Sequence, residues 1–167
     1  LGVTPLQATF DKIAALKDKN ELVTFFGENQ VNGGGTPLAF YINVDAKDST
    51  RYATHIWQYG LSLPEKDYYF NEGERFVNIR KAFVEHIEKM FTLAGLPNGK
   101  AAAENVLALE TAIAEKHWDV VETRDSTKTY NKFEVSELAT LAPDINWTGY
   151  LAALGADKQA DIIINQP

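Results

Sequence analysis

Two apolar stripes at helical spacing, joined by a very short turn, restrict this chain more than any other feature. Phe76, Ile79, Phe83, Val84, Ile87, Met90 and Phe91 recur mostly at steps of three and four, one face of an α-helix. Gly95 stands where a helix ends in the left-handed conformation, and Pro97-Asn98-Gly99 reads as a tight turn. Residues 101–118 form the second helix, with Val106, Leu109 and Ile113 expected to face inward. Long helices joined this tightly pack as antiparallel neighbours.

The flanking segments are shorter and more varied. Thr4-Pro5 offers an N-cap hydroxyl with Pro at the first helical position, ahead of Leu6, Phe10, Ile13 and Leu16. Asn20 is the expected cap of a short second helix carrying Leu22, Val23, Phe25 and Phe26, broken by Asn32-Gly33-Gly34-Gly35. The period then changes to two. Leu38, Phe40, Ile42 and Val44 predict a strand, and residues 51–59 a second one. Polar residues 45–50 would join them as a longish hairpin loop. Residues 60–71 are irregular, aromatic and centred on Pro64. Beyond the long helices, a polar connection leads to residues 135–141, stopped by Pro143. A last helix over 147–154 is capped by Asn146 and ended by Gly155. The expected fold is mainly α: antiparallel long helices with a small β-hairpin.

Composition removes several function classes. The chain has 167 residues, enough for one domain or one lobe of a larger one. Its net charge of −7 lacks the basic footprint of a nucleic-acid binder. No apolar run approaches the roughly 20 residues of a membrane-spanning helix. Cys is absent, which excludes disulfides, thiol catalysis and thiolate metal sites.

Residues that could do chemistry are present but not arranged for it. A common zinc-hydrolase motif sets two His four apart on a helix with a Glu between them. His55, His86 and His117 are each isolated, and read as ordinary partly exposed or core-edge residues. Glu85, Glu88, Glu110, Glu115 and Glu122 could supply paired carboxylates, but solvated helix faces are the expected setting. Asn32-Gly33-Gly34-Gly35-Thr36 has no Lys and leads into a strand, unlike a phosphate loop. Ser49, Ser62, Ser126 and Ser136 lack a nucleophile elbow. Tyr52, Trp57, Tyr59, Tyr68, Tyr69 and Phe70 have no basic surround for nucleic acid, so a packed core edge is expected. Asn146-Trp147-Thr148 is a glycosylation sequon, read here as a helix cap with Trp147 turned inward.

One family carries these stretches together. Residues 60–69, Gly-Leu-Ser-Leu-Pro-Glu-Lys-Asp-Tyr-Tyr, resemble a signature of the neprilysin and endothelin-converting-enzyme family of zinc metallopeptidases. Asp45-Ala46-Lys47-Asp48-Ser49-Thr50-Arg51-Tyr52 is similar to its bacterial members. Leu109-Glu110-Thr111-Ala112-Ile113-Ala114, Arg124-Asp125, and Lys128-Thr129-Tyr130-Asn131-Lys132 resemble it in the same order. So do Asn146-Trp147, Tyr150-Leu151 and Gln166-Pro167.

The resemblance implies a parent with two lobes. A catalytic lobe bears His-Glu-x-x-His and a downstream Glu, whose zinc-bound water attacks the peptide carbonyl. A mainly helical lobe faces it across a cavity that admits peptides and excludes folded proteins. Residues 1–167 resemble part of that N-terminal helical lobe. The zinc, its ligands and the catalytic domain would follow residue 167. No catalytic or metal-binding residue is thereby assigned here, and substrate-binding positions are unknown. Leu63, Pro64, Asp67, Tyr68, Tyr69, Tyr130 and Asn131 carry the signature and are expected to be structural. The implied partners are the C-terminal catalytic lobe and peptide substrates. Lack of Cys, unlike the disulfide-bonded animal members, favours a bacterial, exported parent, periplasmic or extracellular.

The chain opens on Leu1, and Ile162-Ile163-Ile164 near its end reads as a strand with no partner, hence an exposed edge. Both suggest a piece of something longer. A stand-alone helical protein- or peptide-binding module is the alternative, with the aromatics around Tyr68 as contact surface. A small independent hydrolase ranks third for want of an acid–base constellation.

Overall fold

Both apolar stripes become helices in the computed structural model, which describes residues 2–167. In chain order the elements are α1 (Gln7–Ala15), α2 (Lys19–Val31), β1 (Leu38–Asp45), β2 (Asp48–Gln58), α3 (Asp67–Phe70), α4 (Glu74–Ala94) and α5 (Gly99–Lys116). Then follow α6 (Val120–Thr123), β3 (Asn131–Glu134), α7 (Leu138–Leu141), α8 (Trp147–Ala153) and β4 (Asp161–Ile164). They fall into two units. The first takes residues 2–15 and 61–117, the second residues 16–60 and 118–167.

In the first unit α4 and α5 pack against each other as the expected antiparallel pair. Gly95 adopts φ 70°. Its N–H donates to the Thr92 carbonyl at 3.1 Å and that of Leu96 to Phe91 at 2.9 Å, closing the end of α4. Leu63, Tyr69 and Ala114 are buried together, with Leu61, Tyr68, Ile79, Phe83 and Leu107 around them. The inward line of α5 differs from the expected one. Leu109 is 62% exposed, and Val106 and Ile113 are half-buried. Ala103, Glu110 and Ala114 are the buried positions of this helix. Small Ala side chains permit close helix approach, so size alone misled the choice of face. Thr4 does not cap α1 either. A 3₁₀ turn, Thr4–Leu6, includes Pro5 and runs into the helix without a side-chain cap.

In the second unit Asp18, not Asn20, caps α2: its carboxylate accepts the Glu21 N–H at 2.9 Å. Starting earlier, the helix reaches 13 residues. β1 and β2 pair antiparallel, with Asp45 opposite Asp48. The turn is therefore only Ala46-Lys47, shorter than the expected loop, and residues 49–51 have no register partner on β1. The β element is also larger than a hairpin. Four strands lie in the order β1-β2-β4-β3, with β2 parallel to β4 and β3 antiparallel to it. β4 is thus an interior strand, and Ile162, Ile163 and Ile164 are all buried. The exposed edge expected at this position does not exist: β2 and β3, distant in sequence, supply both partners. Residues 131–134 were expected to be a polar connection, because four alternating residues are too few to signal a strand. The segment 135–141 is a 3₁₀ turn, Val135–Glu137, followed by the single turn of α7, not one helix.

α2 and α8 pack together in this unit. Asn146 caps α8 by accepting the Gly149 N–H at 3.0 Å, and Gly155 ends it at φ 69°. Ile56, Leu138, Trp147, Tyr150, Leu151, Ile162 and Ile164 form the core. The approach is close at Gly27. A Cβ there would lie 2.7 Å from the Tyr150 carbonyl oxygen and 2.8 Å from Ala153 Cβ.

Candidate functional site

The signature residues of the first unit gather around one carboxylate. Glu110, on the inward face of α5, is only 8% exposed. The Tyr69 hydroxyl donates to its Oε2. Ser62 donates its N–H to Oε2 at 3.0 Å and its hydroxyl to Oε1 at 2.7 Å. Tyr69 Oη in turn accepts the Leu63 N–H at 3.0 Å. Burial, then the hydrogen bond to Glu110, holds the phenol well above its ordinary pKa, so it stays a donor. Tyr68 sets its ring edge-on to Phe76, centroids 5.2 Å apart. Arg80 Nη1 donates to the carbonyls of Tyr68 and Asn71, each at 2.9 Å. Pro64 and Asp67 are exposed, Asp67 opening α3. Sequence alone places Glu110 on a solvated helix face, and the structure buries it. A carboxylate among apolar residues looks solvated until a tyrosine and a backbone loop arrive to bond it.

A second polar cluster lies in the second unit, at the β1–β2 turn. The Asp45 side chain is almost wholly buried. Its Oδ1 accepts the Lys47 N–H at 2.9 Å and the Tyr130 hydroxyl at 2.8 Å. Its Oδ2 lies 3.5 Å from Lys132 Nζ and 3.9 Å from Arg51 Nε. Both cations also reach Asp161, at 2.7 Å from Arg51 and 3.2 Å from Lys132. The Lys47 N–H foremost, then Tyr130 and Lys132, hold the Asp45 carboxyl below the usual carboxylate range. Lys47 Nζ also lies over the Tyr130 ring, 4.2 Å from its centroid. Asn131 Nδ2 donates to the carbonyls of Lys128, at 2.7 Å, and Ile164, at 3.2 Å. Sequence reasoning noticed Tyr130 and Asn131 but not Asp45, Arg51, Lys132 or Asp161 as a set. Nothing local links those four; the sheet order brings them together.

His55, in the same sheet, is 7% exposed and stacks on Tyr41, ring centroids 4.9 Å apart. Both ring nitrogens are buried and neither has a hydrogen-bond partner among the described residues. Burial pushes its pKa down, while nearby Asn165 and Asp45 oppose that shift.

Zinc requires several donors converging on one point. No group of three or more His, Asp or Glu side chains among the described residues is placed to hold a metal ion. The donor set of this chain does not fit the zinc that the resemblance implies for the parent. Glu110 and Asp45 instead direct their oxygens at groups of the chain itself. No helix among the described residues is long and apolar enough to cross a membrane.

Comparison with known proteins decides the family. The profile for the N-terminal region of Peptidase family M13 matches residues 1–167. The chain belongs to this family. It is 35% identical over 120 residues to endothelin-converting enzyme 1 of Cavia porcellus, which covers 68% of this chain and 15% of that protein. Neprilysin-3 of Drosophila melanogaster is 30% identical over 111 residues, 65% of this chain and 14% of its own length. Among solved structures, an inhibitor complex of a Mycobacterium tuberculosis zinc metalloprotease superposes with a TM-score of 0.92 at 34% identity. That match covers 99% of this chain and 26% of the protease. PepO of Lactobacillus rhamnosis, at 15% identity and a TM-score of 0.78, shares the fold. The chain spans well under a third of each relative.

Proposed function

We propose that residues 1–167 are part of the N-terminal helical lobe of an exported zinc metalloendopeptidase whose catalytic domain follows residue 167. The observation that carries this reading is the family match along the whole chain. The lobe acts sterically. Its two units form stiff wall material, and a cavity walled in this way admits peptides while excluding folded proteins. Tyr69, Tyr130 and Asn131 serve that stiffness: each side chain ties segments remote in sequence. The metal-bound water of the other lobe supplies the hydrolytic chemistry. The parent works outside the cytoplasm, in the periplasm or beyond, and its substrates are peptides.

Three measurements test this. Reading the gene onward from Pro167 should reveal His-Glu-x-x-His and a downstream Glu; a stop codon there overturns the proposal. The 167-residue chain, dialysed and assayed with a fluorogenic peptide, should hold no stoichiometric zinc and cleave nothing. One tightly held zinc per chain, or chelator-sensitive cleavage, overturns it too. The full-length parent should cleave short peptides and spare folded proteins of the same sequence content. Equal cleavage of both removes the steric role.

A further inference from the structure

Asn-Gly pairs can react with themselves. Glycine has no side chain to screen its nitrogen, which can attack the side-chain amide of the preceding Asn. The chain has two such pairs, Asn32-Gly33 and Asn98-Gly99. Both Asn side chains are exposed, but their surroundings differ. Asn32 Nδ2 donates to the Glu28 carbonyl at 2.8 Å, and the Gly33 N–H donates to the Gln30 carbonyl at 3.0 Å. Leaving group and nucleophile are both held there. Asn98 precedes α5, and its side chain makes no cap hydrogen bond to that helix. Gly99 is the first residue of α5, where the opening N–H groups have no intrahelical acceptor. Asn98 also has φ 59°, the only positive φ outside glycine among the described residues.

We propose that Asn98-Gly99 is a site of spontaneous deamidation and backbone isomerisation that loosens the α4–α5 connection as the protein ages. Gly99 N attacks Asn98 Cγ and gives up its proton. The side-chain nitrogen leaves with that proton as ammonia, and a five-membered succinimide closes. Water then opens the ring. Hydrolysis at Cγ leaves an aspartate on a normal backbone; hydrolysis at the main-chain carbonyl leaves an isoaspartate, with one extra methylene in the main chain. To reach this geometry Asn98 must turn away from ψ 32°. That rotation breaks the bond from the Ala102 N–H to the Asn98 carbonyl, 2.9 Å long, in the first turn of α5. Helix ends open at low free energy. The negative charge that develops on Gly99 N and on the attacked amide oxygen lies at the positive end of an 18-residue helix. The turn has little room for the extra methylene. A Cβ on Gly99 would already lie 3.0 Å from Phe91 Cβ and 3.1 Å from the Glu88 carbonyl oxygen, both on α4. Isoaspartate therefore displaces the start of α5, whereas a normal aspartate keeps the backbone and adds a favourable charge at the helix N-terminus.

Peptide mapping by mass spectrometry tests the proposal on the 167-residue chain, incubated at mildly alkaline pH with and without guanidinium. In the folded chain, aspartate and isoaspartate should accumulate at position 98 at least fivefold faster than at position 32. In guanidinium, where neither pair keeps its surroundings, the two rates should agree within twofold. Equal rates in the folded chain, a faster reaction at position 32, or no conversion at position 98 overturns the inference. A fivefold gap that persists in guanidinium also overturns it, because neighbouring residues and not the fold would then set the rate. The loosening has its own readout. Amide hydrogen exchange at Ala101, Ala102 and Ala103 should be at least fivefold faster in the isolated isoaspartate form than in the unreacted chain, and unchanged in the Asn98→Asp variant. Exchange in the isoaspartate form that matches the unreacted chain refutes the effect on α5.

Discussion

The hydroxyl of Tyr69 donates to the carboxylate of Glu110 on α5 while accepting the N–H of Leu63. One phenol therefore sits between a helix and a loop that neither element could hold alone. The carboxylate takes two more donors from Ser62, so its burial is matched by hydrogen bonds.

Removing the acceptor should be costlier than removing one donor. Glu110→Ala leaves the Tyr69 O–H and both Ser62 donors without their acceptor and should destabilise the chain by about 3 kcal/mol. Tyr69→Phe should cost about 1–2 kcal/mol, since the ring still fills its space. Urea unfolding of both single variants and the double variant should show a loss smaller than the sum. Strict additivity would mean that the two side chains do not act on each other.

The Asp45 cluster gives acid sensitivity at low pH. Its folded pKa lies below the unfolded value of about 3.9, so the stabilisation is present above that value. It is lost as pH falls through the folded pKa. Asp45→Asn should lower the unfolding midpoint at pH 7, and the difference from wild type should shrink below pH ~4. A difference that persists unchanged at pH 2 would show that packing, not charge, accounts for the loss.

His55 acts in a different pH window. Its folded pKa is depressed below the unfolded value of about 6.5. Above pH 7 both states carry a neutral ring and the group contributes no slope. As pH falls below about 6.5 the unfolded chain takes up a proton that the buried ring resists, so stability declines. His55→Phe keeps a ring beside Tyr41 and removes the buried unpartnered nitrogens. This variant should lose the decline between pH 6.5 and 5. An identical pH profile for wild type and variant would place the titrating group elsewhere.

Gly27 sets the distance between α2 and α8. A Cβ would meet both the Tyr150 carbonyl and Ala153, neither of which can swing away. Gly27→Ala should therefore destabilise by about 1–3 kcal/mol despite the higher helix propensity of Ala. Thermal unfolding checks it, and a stabilised variant would show that the helices stand further apart.

Local signals reached some of this and stopped where the chain folds back on itself. The α4–α5 pair, its Gly95 stop, the Asn146 cap and the period-two run of β1 each depend on residues within a few positions of one another. Periodicity and capping read such features directly. The specificity of residues 60–69 likewise pointed to a family, and the whole-chain match bears that out. The turn after Asp45 and the short strand β3 were misread because a few polar residues fit a loop as well as a ladder.

What the sequence determined by itself, then, was the mainly helical class, the antiparallel α4–α5 pair and the family. Tertiary structure alone decided which carboxylates were buried and whether β4 had partners. Glu110 is inward because Tyr69 and Ser62 converge on it, and Asp45 because Tyr130 and Lys132 come from the far end of the chain. Ile162-Ile163-Ile164 is an interior strand because β2 and β3 close on either side of it. A polar group's burial depends on the donors that reach it, and a strand's place on the backbones beside it. Both are properties of contacts between residues far apart in the chain.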